Sequence, residues 1–589
     1  MRIATKIDSS DQAKPSALLD GIAIFCLLLA PYLSFIRYND FVFEGVNLIL
    51  IAIFAAVTAG LVALMRLHPS PALRVAILTL VLFLFLDFQL FWINLPVMKL
   101  VIGVPVVGAL CWLMRQRINF VLAAASGTIA ASTLVLALWS GWTAGGQETP
   151  ASPAAGRPDL PAYVHIILDE LAGPEAFDDD IPIQRAIKTE IQTFFADHGF
   201  RLYGRAYSPY YHSQDSISAT LNLETTSDPS AFYEIHGDDL WITRNRYFDD
   251  LRARGYDIHV YQSTYVDFCS LDTGPIRACV TYNYDASSSA ALASLSEADK
   301  ARIVLIRYGN LYGLKQVAMS TYGWLRPHLA RVGLSLPKPM ATSGQLGPIP
   351  VLPVIARLIG DVAEESRGNA YFAHLFVPHY PYSVDANCRI RRPVLAWPSR
   401  YIAHLDDGQD SPEAKRLALY EAYIPQVRCA LAKVKDVLDA LKARGAYEDA
   451  TIVVHGDHGS RIVRHEPITA NRAGLSAQDI NDGYLALYAV KSPGIAPGYD
   501  ETVMALPELL QAMVRGTGRT AAAPAAAQPR IYLRTGPISG LVEIPMPCLG
   551  DVVSRAVSPA TLLSGLASKC GADQARTAPA PASAAAEDG

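Results

Sequence analysis

"TIVVHGDHGSR" (451–461) runs strand-prone residues into two histidines, an aspartate and two glycines. The β-branched Thr-Ile-Val-Val run suits a pleated, buried strand, and that strand is expected to stop where the water-seeking residues begin. In an open parallel sheet, ligands gather outside the carboxyl ends of the strands. Asp457 and His458 follow this strand directly, and Asp169 and Glu170 follow a second strand candidate, "AYVHIIL" (162–168). Two strand ends thus bring three carboxylates and an imidazole. Carboxylate oxygen and neutral imidazole are ligands for Zn or Mn. Gly456 and Gly459 are expected to leave room for the backbone to turn sharply around a bound ion. A lone Asp-His pair after a strand is ordinarily a satisfied turn; the second acidic strand end favours a metal cradle.

Outward from these two strands, apolar runs at 257–262, 370–376 and 486–491 alternate with amphipathic stretches at 183–198, 246–254, 354–366 and 412–444. That alternation predicts an α/β domain over 161–515 with a mostly parallel sheet sandwiched by helices. The Ala/Pro-rich stretches within 516–589 predict a partly disordered C-terminal extension. "IRYGNLYGLKQVAMSTYGWLRPHLARVGL", within 300–335, reads as a packed helix pair or a segment on the membrane surface.

The 589-residue chain has a mean hydropathy of +0.20, and the apolar excess is concentrated in residues 1–145. Five segments there, 18–36, 45–65, 75–95, 97–114 and 118–142, are each about long enough to cross a ~30 Å hydrocarbon core. A Gly/Pro/Ala linker follows at 146–160. Arg2, Lys6, Lys14, Arg66, Arg74, Arg115 and Arg117 fall on one side of the expected spans, Arg37 and Lys99 on the other. The positive-inside rule then puts the N-terminus in the cytoplasm, and five crossings deliver the α/β domain outside the inner membrane. Asp87, inside the third span, is costly unless paired. Six cysteines, Cys269, Cys279, Cys388, Cys429, Cys548 and Cys570, lie in the exported part without zinc-type spacing, so disulfides are expected. The net charge is −5 and no basic stripe with interleaved aromatics occurs, which argues against a nucleic-acid partner.

"PAYVHIILDEL", "FAHLFVPHYPY" (372–382) and "VVHGDHGSR" resemble, in order, three motifs of the alkaline phosphatase superfamily's sulfatase-like branch. The resemblance covers about 158–515, and the preceding spans make the whole similar to phosphoethanolamine transferases and lipoteichoic acid synthases. It implies metal binding by Asp169, Asp457 and His458 with Glu170 beside them, and phosphate contacts from His379 and His465. His374, within a strand, is expected to be structural. The family's nucleophile maps to "YSPYYHSQDSISATLNL" (207–223): Ser213 takes the position of a nucleophilic Thr, with Ser216 and Ser218 as alternatives, and His212 stands where Gln is usual. A helix beginning near Ser213 would offer free N–H groups to an anion. The Cys/Ser-x-Pro-x-Arg motif of true sulfatases is missing.

These likenesses imply a metal-dependent enzyme, Zn first and Mn second, holding its ion on Asp169, Ser213, Asp457 and His458. It would move a phospho-head group from a phospholipid donor to an envelope glycan or lipid A-type acceptor through a phospho-serine, as in lipopolysaccharide modification. The alternatives are a phosphodiesterase or sulfuric-ester hydrolase of the same family, and a catalytically inactive envelope scaffold.

Overall fold

The computed structural model describes residues 17–38, 45–89, 98–143, 157, 159–236, 239–269, 275–283, 292–310, 312, 314–331, 333–334, 346–398, 411–515, 529–536 and 540–545. They group into two compact units, one within 1–146, 285–346 and 392–396, the other within 147–284, 347–391 and 397–589.

The first unit is helical: α1 (Ala17–Tyr38), α2 (Gly45–Leu67), α3 (Pro71–Gln89), α4 (Val104–Leu113) and α5 (Ile118–Thr143). Four of them, α1, α2, α3 and α5, are long and apolar enough to cross a membrane. The expected span at 97–114 is corrected: its apolar helical stretch, Lys99–Leu113, rises about 22 Å, short of a ~30 Å core. Five spanning helices are therefore not found among the described residues. The buried charges are paired. Arg74 forks onto Asp20, with Nε–Oδ2 at 3.0 Å and Nη2–Oδ1 at 2.9 Å, and Lys99 Nζ lies 3.3 Å from Asp87 Oδ1. Residues 300–335 contain the expected helix pair, Glu297–Asn310 and Leu314–Ala330. The first helix belongs to this apolar unit, where the Tyr308 ring sits 5.5–6.2 Å from those of Tyr32, Phe35, Phe54 and Phe88.

The second unit is built on an eight-stranded sheet. Its strands are β1 (Tyr163–Leu168), β2 (Arg201–Tyr203), β3 (Asp257–Ser263), β4 (Ala278–Tyr282), β5 (Asn369–Leu375), β6 (Thr451–His455), β7 (Tyr488–Lys491) and β8 (Gly498–Asp500). Across the sheet they run β8-β2-β7-β6-β1-β5-β3-β4. The central pairs are parallel, and β7 runs antiparallel to β6 and β2. All six residues of β1 are buried, because helices cover both faces. On one face α6 (Pro182–Asp197), α8 (Val351–Glu364) and α9 (Pro412–Ala443) bury Ile191, Leu358, Val427 and Leu438 against Val164, Ile166 and Val454. On the other, α7 (Ser213–Leu221) contributes Ile217 and Leu221 beside Ile167, Phe372 and Val453. A hairpin of β9 (Arg530–Arg534) and β10 (Leu541–Pro545) falls inside the stretch expected to be an extension; 516–528 and 546–589 lie outside the described residues. Disulfides join Cys269 to Cys279 and Cys388 to Cys429, while Cys548 and Cys570 lie outside the described residues.

Candidate metal centre

The site follows from strand register. β1 pairs in parallel with β6 so that Ile167 faces His455, and with β5 so that Ile167 faces His374. Asp169 and Asp457 lie two residues beyond the Ile167–His455 pair, just past the ends of the two central strands. Side chains alternate along a strand, so both aspartates emerge on the same sheet face as His374 and His455. Both are about 1% exposed. The glycines beside them serve packing: a Cβ on Gly456 would lie 2.2 Å from the Leu171 carbonyl oxygen, and one on Gly459 2.3 Å from that of Asp482. Close backbone approach excludes any side chain at either position.

Asp169, Asp457 and His458 place one ligand atom each within 4.8 Å of one another. His458 Nε2 stands 3.1 Å from Asp457 Oδ2 and 3.9 Å from Asp169 Oδ1. Its Nδ1 is 3.0 Å from the Gly459 carbonyl. An imidazole whose Nδ1–H donates to a carbonyl presents a lone pair at Nε2, and here that lone pair faces two carboxylates. Asp169 Oδ1 and Asp457 Oδ2 are themselves buried without a hydrogen-bond partner among the described residues. Such a cluster of acceptors with no donor is costly to bury, and a divalent cation resolves it. The donor set of carboxylate oxygens and imidazole nitrogen suits Zn, then Mn.

Ser213 opens α7 and its Oγ lies 3.1 Å from His458 Nε2. The residue before it, His212, is extended (φ −108°, ψ 139°) and caps nothing with its side chain. The other candidate serines are engaged differently. Ser216 Oγ donates to the Asp457 carbonyl, and Ser218 Oγ to that of Asp215.

Glu170 adopts φ 66°. Its backbone N–H donates to Asp457 Oδ1 at 3.1 Å, and its Oε2 accepts from the Tyr380 N–H at 3.1 Å. With Asp169 and His379 it forms a second group of metal-ligand size. His379 Nδ1 contacts the Tyr380 carbonyl, its ring stacks between Phe376 and Tyr380, and its Nε2 is 3.7 Å from Glu170 Oε1. His465 stands apart from both groups: its side chain is 38% exposed and its Nδ1 is 3.5 Å from Asp479 Oδ2.

Two features beyond the expected residues shape the site. His374 is fully buried with Nε2 3.4 Å from Asp169 Oδ2, and neither ring nitrogen has a hydrogen-bond partner among the described residues. The second is a buried ion cluster behind the 456–461 turn. There Asp482 receives Arg416 Nη1 at 3.1 Å, the Tyr420 hydroxyl and Gln478 Nε2 at 3.0 Å, while its carbonyl takes the Arg461 N–H at 2.7 Å.

No protein-family model and no curated protein matches the sequence. Solved structures matched in the comparison include the phosphonate monoester hydrolase of Agrobacterium radiobacter, at 13% identity over 71% of this chain and 93% of that one, with a TM-score of 0.42. The C-terminal periplasmic domain of EcEptC from Escherichia coli, in a complex with Zn, is 10% identical over 67% and 96%, with a TM-score of 0.35. The putative sulfatase yidJ from Bacteroides fragilis is 13% identical over 71% and 95%, also at 0.35.

Proposed function

We propose that the chain is a membrane-anchored, metal-dependent sulfatase-like phosphotransferase acting outside the inner membrane. Its reaction moves a phospho-head group, such as phosphoethanolamine or phosphoglycerol, from a phospholipid to an envelope glycan or lipid A-type acceptor. The observation that carries this reading is the convergence of Asp169, Asp457 and the His458 Nε2 lone pair beside the Ser213 hydroxyl. Asp169, Asp457, His458 and Ser213 would hold the ion, and Glu170 with His379 could share a second one. A divalent ion in such a cradle supplies Lewis acidity, which lowers a hydroxyl pKa and offsets phosphoryl charge.

With the ion bound, the Ser213 hydroxyl would release its proton to solvent. As the alkoxide, Oγ attacks the donor phosphorus, forming the Ser–O–P bond as the bond from phosphorus to the diacylglycerol oxygen breaks, and the same alkoxide is regenerated when the acceptor attacks. The leaving alkoxide takes a proton from His379, beside Glu170. An acceptor hydroxyl then gives its proton to a base, His379 or the more exposed His465, and attacks phosphorus, releasing Ser213. Anchoring in the bilayer supports transfer over hydrolysis, since lipid donor and lipid-linked acceptor share that surface. The two disulfides support an exported catalytic unit.

Intact-mass analysis of the full chain in detergent, after incubation with phosphatidylethanolamine and phosphatidylglycerol, tests the reading. The expected result is one head group added as a phosphate ester, lost in Ser213→Ala. Release of free head-group phosphate without an adduct transferable to glycan would mark a hydrolase. No adduct and no release would mark a scaffold.

A further inference from the structure

The first turn of α7 is held by four consecutive side chains, each tied to a different part of the fold. Ser213 reaches His458 Nε2. Gln214 Oε1 accepts from the Tyr265 hydroxyl at 3.0 Å. Asp215 pairs with Tyr233 and Arg534, and Ser216 donates to the Asp457 carbonyl while accepting from Ser208 Oγ at 2.8 Å. Asp215 makes the most contacts of the four. It is 3% exposed, its Oδ1 accepts the Tyr233 hydroxyl at 2.8 Å, and its Oδ2 accepts Arg534 Nε at 3.2 Å and Nη2 at 2.7 Å. An acidic residue in a first turn ordinarily faces the helix's own free N–H groups. This one is committed to a partner from the far end of the chain.

That partner sits on β9, in register with the body of the unit at several points. The Tyr532 ring stacks on Tyr210 at 5.2 Å and 10°. Its N–H donates to the Pro209 carbonyl at 2.9 Å, and its carbonyl accepts the Tyr484 hydroxyl at 3.0 Å. Arg534 itself bridges to Ile468. The backbone that carries Arg534 is thus fixed, and a two-nitrogen contact from the planar guanidinium constrains direction as well as distance.

We propose that Arg534 is a positioning residue for Ser213. By anchoring Asp215, two residues on in the same helical turn, it sets the rotation of α7 about its axis and so the aim of the Ser213 hydroxyl at His458 and the metal cradle. The 529–545 segment, which sequence composition places in an extension, is then an integral part of the catalytic unit. The inference rests on the proposed role of Ser213.

The test measures Zn affinity of the full-length chain in detergent, by competition with a chelating dye, for the parent, Ser213→Ala, Arg534→Gln and the double variant. Outer-shell losses of this kind typically lower metal affinity about 10–100-fold. Arg534→Gln is expected to fall in that range in the parent and to add little in the Ser213→Ala background. Arg534→Lys, which keeps charge without the fork, should fall between, and the exchange Asp215→Arg with Arg534→Asp should recover part of the loss. An equal loss from Arg534→Gln in both backgrounds, or no loss in the parent, overturns the positioning role while leaving Ser213 as proposed. A Ser213→Ala variant that matches the parent in both Zn affinity and adduct formation overturns the functional reading, and the positioning role with it. If Arg534→Gln fails to fold, Tyr233→Phe, which removes one Asp215 contact from the other side, takes its place in the same cycle. A loss confined to the parent background then supports the positioning role, and an equal loss in both backgrounds or none in the parent overturns it.

Discussion

Asp169 and Asp457 stand level with each other, each two residues past the parallel pair Ile167–His455, although most of the second unit separates them along the chain. Their buried oxygens Asp169 Oδ1 and Asp457 Oδ2 lack hydrogen-bond partners among the described residues. Two carboxylates so placed repel each other and forgo solvation, so the metal-free fold bears a cost that a cation removes. Replacing Asp169 by Asn is therefore expected to stabilise the chelator-treated protein by roughly 1–3 kcal/mol while abolishing the stabilisation gained on adding Zn. Thermal unfolding with and without metal reads both. A metal-free variant no more stable than the parent, with the Zn response intact, would remove the case for a shared ion.

His374 gives a second prediction. Its ring lies against Asp169 at 3.4 Å and belongs to the row of side chains directly below the carboxylates. His374→Phe keeps the ring volume and its contacts with Phe268 and Phe376 but loses both nitrogens. Zn affinity is expected to drop about 10–100-fold with little change in the unfolding midpoint of the metal-free protein. Affinity equal to the parent's would assign His374 to packing alone.

The contrast between His374 and its neighbours shows what the sequence could disclose. The sheet is legible because β1, β5 and β6 are continuous apolar runs, and a strand buried on both faces has no other composition open to it. The metal cradle is legible because Asp457-His458 and Asp169-Glu170 interrupt such runs abruptly. His374 reads as structural because it sits within the run "AYFAHLF", and only register against Ile167 brings it beside Asp169. Arg534 lies further out of reach: its partner Asp215 is joined to it by tertiary contact across a stretch of Ala and Pro that carries no periodicity. The fourth apolar segment misleads for a different reason: it is helical and apolar, but its helical stretch Lys99–Leu113 is too short to cross the core.

Asp482 yields a pH prediction. Burial pushes its carboxyl up to about 7 against the pull of Arg416, Tyr420 and Gln478, whereas in the unfolded chain it titrates near ~3.9. Between those values the folded state holds a proton that the unfolded state has released, so this group's contribution to stability declines as pH rises from about 4 to about 7. His455, pushed down to about 4 by burial, acts with the opposite sign over much of the same window. Comparing the parent with Asp482→Asn isolates the first effect. Denaturant midpoints of chelator-treated protein across this range should show the parent losing stability relative to the variant as pH increases. A difference that is flat or rises with pH would mean the carboxyl is ionised throughout.

The two disulfides close loops of different length, with sequence separations of 10 for Cys269–Cys279 and 41 for Cys388–Cys429. If each acts by restricting the unfolded chain, the shorter is worth about 3 kcal/mol and the longer about 4 kcal/mol. The second has a further consequence, because Cys429 lies on α9, where Gln426 Nε2 donates to the carbonyls of Pro378 and His379 at 2.9 and 2.7 Å. Cutting the tether at Cys388 should therefore loosen the His379 loop as well as the fold. Paired Cys→Ser replacement at 388 and 429 is expected to raise the rate of backbone hydrogen exchange over 377–391 and to lower phosphotransfer. Replacement at 269 and 279 should cost stability with transfer nearly unchanged. Equal effects of the two pairs on transfer would separate the disulfide from the function of His379 and leave it a staple of the unfolded state.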